Sequence, residues 1–190
     1  MVREAIAARV DLGQLLGRLR FNAPVLVPLD APARAAAERL TVDASATDTA
    51  EYLLWKGDWY RQRGNGGRAR TYADSARARL ERDVSASPDD PGLRARLGLA
   101  NALLGRKAAA LREATRAVEL LPVSRDAVDG HNYLQDLDVG EVLVGEYDAA
   151  ITHLEQLLRI PSDISIPLLR VHPMWAPLRA NPRFRRLVRE

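Results

Sequence analysis

The stretch that decides the fold is GLRARLGLANALLGRKAAALREATRAVELLP, from Gly92 to Pro122. Leu93, Leu97, Ala100 and Leu104 recur at helical spacing, and Gly105 interrupts the pattern. Ala110, Leu111, Ala114, Ala117, Val118 and Leu121 then form a second apolar stripe that stops at Pro122. Two amphipathic helices joined by a tight glycine turn make one helical hairpin. Small residues at Gly98 and Ala110 predict that the two helices approach closely there, and Ala117 predicts a contact with the helix that follows.

The same pattern returns on either side. Upstream, LLWKGDWYRQRGNGGRARTYADSARARLERDV places Gly57, Tyr60, Gly64, Ala69 and Ala76 at matching positions. The turn glycines Gly64 and Gly105 are 41 residues apart, which predicts a longer second helix in this unit. Pro91 suits the first turn of the next helix. Downstream, YLQDLDVGEVLVGEYDAAITHLEQLLRIP places Leu137, Gly145, Ala150, Leu154, Leu157 and Pro161 in register, 40 residues from Gly105 to Gly145. This copy departs from the pattern at Asp138, where a glycine is expected, and at Glu141, where an aromatic is expected. Looser packing within that hairpin is the predicted consequence.

The repeated positions, with Leu97-Gly98 as the Leu-Gly pair, Gly105 at the turn, Ala110 and Ala117 in the second helix and Pro122 at the close, resemble a tetratricopeptide repeat. The resemblance covers about residues 46–162 and implies an all-α fold, an αα-superhelix of hairpins at about 46–87, 91–122 and 124–161. Residues 1–45 are expected to form a helical cap or degenerate hairpin, with helices over 1–20 and 33–42 around the loop NAPVLVPLDAP. Residues 163–190 carry four of the eleven prolines, and Pro161 just precedes them. They predict a capping segment whose last helix starts at Pro182 with Asn181 as its N-cap. Leu168, Leu169, Met174, Trp175, Leu178, Phe184 and Leu187 are expected to cover the last repeat. The closing run from Trp175 to Phe184, Trp-x-Pro-Leu-Arg-x-x-Pro-Arg-Phe, is similar to the end of tetratricopeptide tails in large bacterial regulators with kinase, cyclase or DNA-binding domains. That resemblance implies a signalling scaffold within a larger protein.

Composition limits the chemistry. The 190 residues include 28 basic and 25 acidic side chains, a formal net charge of +3, and no cysteine. Disulfides, thiolate nucleophiles and cysteine metal sites are excluded, and a cytoplasmic location is expected. No apolar run approaches the roughly 18 residues of a membrane span. The histidines His131, His153 and His172 lie in different elements, none in an HExxH pattern. There is no GxSxG, and RGNGGRAR lacks the Lys-Ser/Thr of a phosphate loop. Asp136, Asp138 and Glu141 read as a solvated acidic helix face. No cofactor, metal or catalytic set is implied, and a non-catalytic scaffold is the expectation.

Stacked helical hairpins curve, with first helices lining the inner side. The inward candidates are Glu51, Leu54, Asp58 and Arg61 in the first unit, Ala95, Leu99 and Ala102 in the second, and Asn132, Gln135, Val139 and Val142 in the third. Some tetratricopeptide domains clamp a peptide carboxylate with Lys and Asn at such positions. Leu54, Asp58, Ala95 and Leu99 stand there in this sequence, so a carboxylate clamp is not expected. A partly apolar groove suits a helical or extended peptide segment of a protein partner, or is filled by this chain's own N-terminal helix or tail. Homo-oligomerisation through an open end is compatible with the pattern. The alternative is nucleic-acid binding through Arg77, Arg79 and Arg82 and the C-terminal Arg179, Arg183, Arg185, Arg186 and Arg189. The interspersed acids and the small net charge make it unlikely.

Overall fold

In the computed structural model the described residues are 49–189; the cap expected over 1–45 lies outside them. Helices α1 (Thr49–Gln62) and α2 (Gly66–Ala86) form the first hairpin, α3 (Pro91–Leu103) and α4 (Lys107–Leu120) the second, α5 (Gly130–Val144) and α6 (Tyr147–Leu157) the third. A short α7 (Ile166–Val171), a 3-10 helix (Pro173–Ala180) and α8 (Pro182–Leu187) follow. There is no strand among the described residues, so the all-α expectation holds. No helix among them is long and apolar enough to cross a membrane.

Each hairpin turns on the glycine expected from the sequence. Gly64, Gly105 and Gly145 have φ of 71°, 72° and 84°, a left-handed conformation that costs a residue with a Cβ about 1–2 kcal/mol. Helix starts follow local chemistry. The side chain of Asn65 accepts from the N–H of Arg68, and that of Asp90 accepts from the N–H of Leu93 ahead of Pro91. As expected, α2 is long, with 21 residues; α5, with 15, is longer than α3, with 13, and takes up part of the wider spacing of Gly105 and Gly145. The third hairpin starts later than the 124 expected. The Asp126 carboxylate accepts from the N–H groups of Val128 and Asp129, which holds a turn instead of a helix. Gly130 then passes so close to the preceding chain that a Cβ would lie 2.8 Å from the backbone of Pro122 and Val123.

Packing inside the hairpins follows the small residues. A Cβ on Gly98 would lie 3.0 Å from the Cβ and N of Ala114 and 3.1 Å from the Ala110 oxygen. The wholly buried Ala76, Ala117 and Leu157 occupy one register position of α2, α4 and α6. Between hairpins, α1 packs on α3 and α3 on α5, while α2 packs on α3 and α4 on α5. The first helices thus form a continuous row with one common face. Leu168, Leu169, Met174, Trp175, Leu178 and Phe184 are buried in the same core as Leu154 and Leu157 of α6, while Leu187 is half-buried. Arg183 clamps α8 to α6, pairing with Glu155 at 2.7 Å, and Asn181 caps α8 through the N–H of Arg183 as expected.

Candidate functional site

The face shared by the first helices is set by register. Asp58, Leu99 and Val139 each stand six residues before their turn glycine, and Leu54, Ala95 and Gln135 ten before. Residues at the same offset on stacked hairpins lie in a row across the stack. The eleven candidates therefore come from three helices that the structure does bring side by side.

They do not line an open groove. Leu54, Asp58, Ala95, Leu99, Ala102, Gln135, Val139 and Val142 are buried, and Glu51, Arg61 and Asn132 are half-buried. A polypeptide segment of the chain itself accounts for part of this cover. The 3-10 helix packs on α5, and its Met174, Trp175 and Leu178 join the core cluster that contains Leu99, Val139 and Val142. Its cap, His172, lies within the electrostatic reach of Asp58 on α1. The C-terminal segment thus covers the α5 part of the row as well as the last repeat. The sequence predicted the second role from its apolar residues. A His-Pro step followed by Met and Trp was the signal for the first, but it carries no information about which surface it meets.

The covering segment has a polar anchor. His172 is 5% exposed, and its Nδ1 accepts from the N–H of Met174 at 3.2 Å, capping the 3-10 helix. Arg179 donates to the His172 carbonyl oxygen at 3.2 Å. Burial pushes the imidazole pKa down from its ordinary value; Asp58 opposes that shift and Arg179 reinforces it. Asp58 itself accepts from Arg61 Nε at 2.8 Å and from Gln62.

The acidic cluster of α5 requires a correction. Asp136, Asp138 and Glu141 are not a solvated face; all three are buried. Every residue from Leu134 to Val142 is enclosed, because α5 is packed by α3, α4, α6 and the 3-10 helix. Glu141 is bonded by His153 Nδ1 of α6 at 2.8 Å. Asp138 is fully buried and neither carboxyl oxygen has a hydrogen-bond partner. Burial, with the neighbouring Glu141 charge, raises its pKa well above the usual carboxylate range. The acid stands at the register of Gly57 and Gly98, seven residues before the turn glycine. It is wholly enclosed, at the position where Gly98 meets its partner helix in the second hairpin.

His131 Nδ1 contacts the Ala127 oxygen at 3.1 Å, within one turn of chain. No group of three potential metal ligands occurs among the described residues. The Arg patch on α2 is interleaved with acids: Arg77 pairs with Asp74 and Glu81, and Arg79 with Asp83. Within the second hairpin Arg94 of α3 holds the buried Glu113 of α4 at 2.5 Å, and between hairpins Lys107 pairs with Glu146. An open cavity of about 610 Å³ between α2 and the α3–α4 turn is lined by Gly67, Arg70, Thr71, Asp74, Ser75, Leu104 and Arg106. Its hydroxyls donate to the helix backbone, Thr71 to Gly67 and Ser75 to Thr71. No family model, curated protein or solved structure matches the chain.

Proposed function

We propose that the hairpin stack is a tetratricopeptide-like superhelix that serves as a non-catalytic protein-interaction scaffold, within a cytoplasmic bacterial regulatory protein. One observation carries this reading. The α5 part of the face formed by α1, α3 and α5 already receives a short helical segment with apolar side chains, Met174, Trp175 and Leu178. A surface that seats one such segment from its own chain has the shape and polarity to seat a similar one from a partner. Three points add support: the shared turn-glycine register, the row of first helices, and the burial of the acids of α5 inside the packed layers.

The burial pattern changes which substitutions can test the idea. Leu99 and Val139 are 3% and 0% exposed, so an Asp at either would disrupt folding, not just binding. The better probes are the half-buried Arg61 and Asn132. Peptides selected from a random library on the whole chain should crosslink to α1, α3 and α5. Arg61→Glu combined with Asn132→Lys should weaken them about tenfold or more, since rim charges govern register and partner choice. Crosslinks confined to α2 and α4, or no selected peptide at all, would remove the reading.

A further inference from the structure

We propose that residues 172–180 are a proton-released latch: they cover the α5 part of the α1–α3–α5 face when His172 is neutral and leave it when His172 is protonated. The inference rests on the scaffold reading above for its purpose, but its geometry stands alone. His172 caps the 3-10 helix through a lone pair, since Nδ1 accepts from the Met174 N–H at 3.2 Å. A protonated imidazole has a hydrogen on both nitrogens and can accept nothing. Protonation therefore removes the cap and leaves a buried N–H facing a buried N–H.

The charges around the ring favour the same outcome. The groups that act on it are Asp58 of α1 and Arg179 of its own segment. Asp58 already has two donors, Arg61 and Gln62. Arg179, held against the His172 carbonyl oxygen, repels a second cation. The elements packed against the segment also carry Asp136, Asp138 and Glu141 on α5, Arg170 on α7 and Arg183, Arg185 and Arg186 on α8. On α5, Glu141 is bonded to His153 and Asp138 is wholly enclosed. On α7, Arg170 donates to the Val188 oxygen, and on α8, Arg183 is held by Glu155. Burial dominates the balance, so the ring's pKa is lowered in the covered state relative to its ordinary 6.5. The sign follows. A lowered pKa means the covered state is favoured above 6.5 and loses ground as pH falls through the covered-state value.

The segment is suited to leave without unfolding the stack. It is a 3-10 helix with Pro177 inside it, and 3-10 hydrogen bonds are weaker than α-helical ones. It is flanked by α8, which has its own anchor on Glu155. Met174, Trp175 and Leu178 supply the counterweight, so a partner that replaces their apolar contacts would complete the release.

Hydrogen exchange read by mass spectrometry on the whole chain, at about pH 8 and about pH 5, tests this once intrinsic exchange rates are corrected. Protection of 172–180 and of the facing α5 segment should fall several-fold at the lower pH, while α2, α4 and α8 keep theirs. His172→Asn retains an acceptor for the cap and cannot titrate, so it should stay protected at both values. An equal loss in wild type and His172→Asn overturns the latch, as does no loss in wild type or a loss spread over every helix. Should His172→Asn fail to fold, the His172 ring resonance in wild type decides. Titration below 6.5 supports the latch, and titration at or above it overturns it. No partner is needed, so failure here is distinct from failure of the scaffold reading.

Discussion

The second and third hairpins share a plan and differ at its tightest point. In α3 the contact residue is Gly98, and the Ala114 backbone nitrogen lies 3.0 Å from where a Cβ would be. In α5 the same register holds Asp138, fully buried, with no partner for either oxygen. Three residues further along, Asn101 satisfies itself by donating to the Leu97 oxygen at 2.9 Å, whereas Glu141 depends on His153 from the opposite helix. The second hairpin is thus held by close apolar approach, a local bond and a paired Arg94–Glu113 bridge between its helices. The third carries a polar interior that must be completed across the hairpin or remain unpaired. The less self-sufficient hairpin is also the one on which the C-terminal segment rests.

The largest effect should come from making the second hairpin resemble the third. Gly98→Asp forces a carboxyl against Ala114 and Ala110, and overpacking with an unpaired polar group should cost about 3–5 kcal/mol. Urea unfolding would show it, and a midpoint within error of wild type would mean α3 and α4 can separate freely. The reverse exchange should stabilise. Asp138→Ala removes a buried, unpartnered acid, and a gain of about 1–3 kcal/mol at neutral pH is expected. Asp138→Asn isolates the charge. Because the folded pKa of Asp138 is raised, its contribution is complete below the ordinary 3.8. It then falls away as pH rises from there to the folded value. Wild type should therefore lose stability relative to Asp138→Asn over that window, and parallel pH profiles would show that Asp138 is solvated.

A smaller effect is expected at the cross-hairpin bond. His153→Ala leaves Glu141 buried without its donor and should cost about 1–2 kcal/mol. Asn101→Ala, which breaks only a bond within one helix, should cost about 1 kcal/mol or less. Equal losses would erase the distinction between the hairpins. Smallest of all, Arg183→Ala removes a partly exposed clamp between α8 and α6 and should cost under about 1 kcal/mol, and less in high salt. Its useful readout is local exchange in α8.

Much of the fold was legible because it is written in short-range pattern. Gly64, Gly105 and Gly145 mark chain reversals that a residue with a Cβ disfavours. The Asn65, Asp90 and Asn181 caps act within three residues of themselves. The candidate face was legible as a register but not as a surface. Leu99 and Val139 belong to the row that was expected, yet they are buried, since what lies over them comes from elsewhere in the chain. Asp136, Asp138 and Glu141 misled for the same reason. A helix pattern tells which residues share a face, but not how many neighbours that helix will have, and α5 is enclosed by four.

By itself, then, the amino-acid order determined the hairpins, their turns and their close-packed small positions, since those depend on backbone sterics and periodicity within about 30 residues. Only the tertiary structure decided that Asp138 is left without a partner and that His172 meets Asp58 more than a hundred residues away. It alone placed residues 172–180 over the α5 part of the face. Burial and electrostatic environment are properties of the assembled layers, and no local pattern in the chain encodes them.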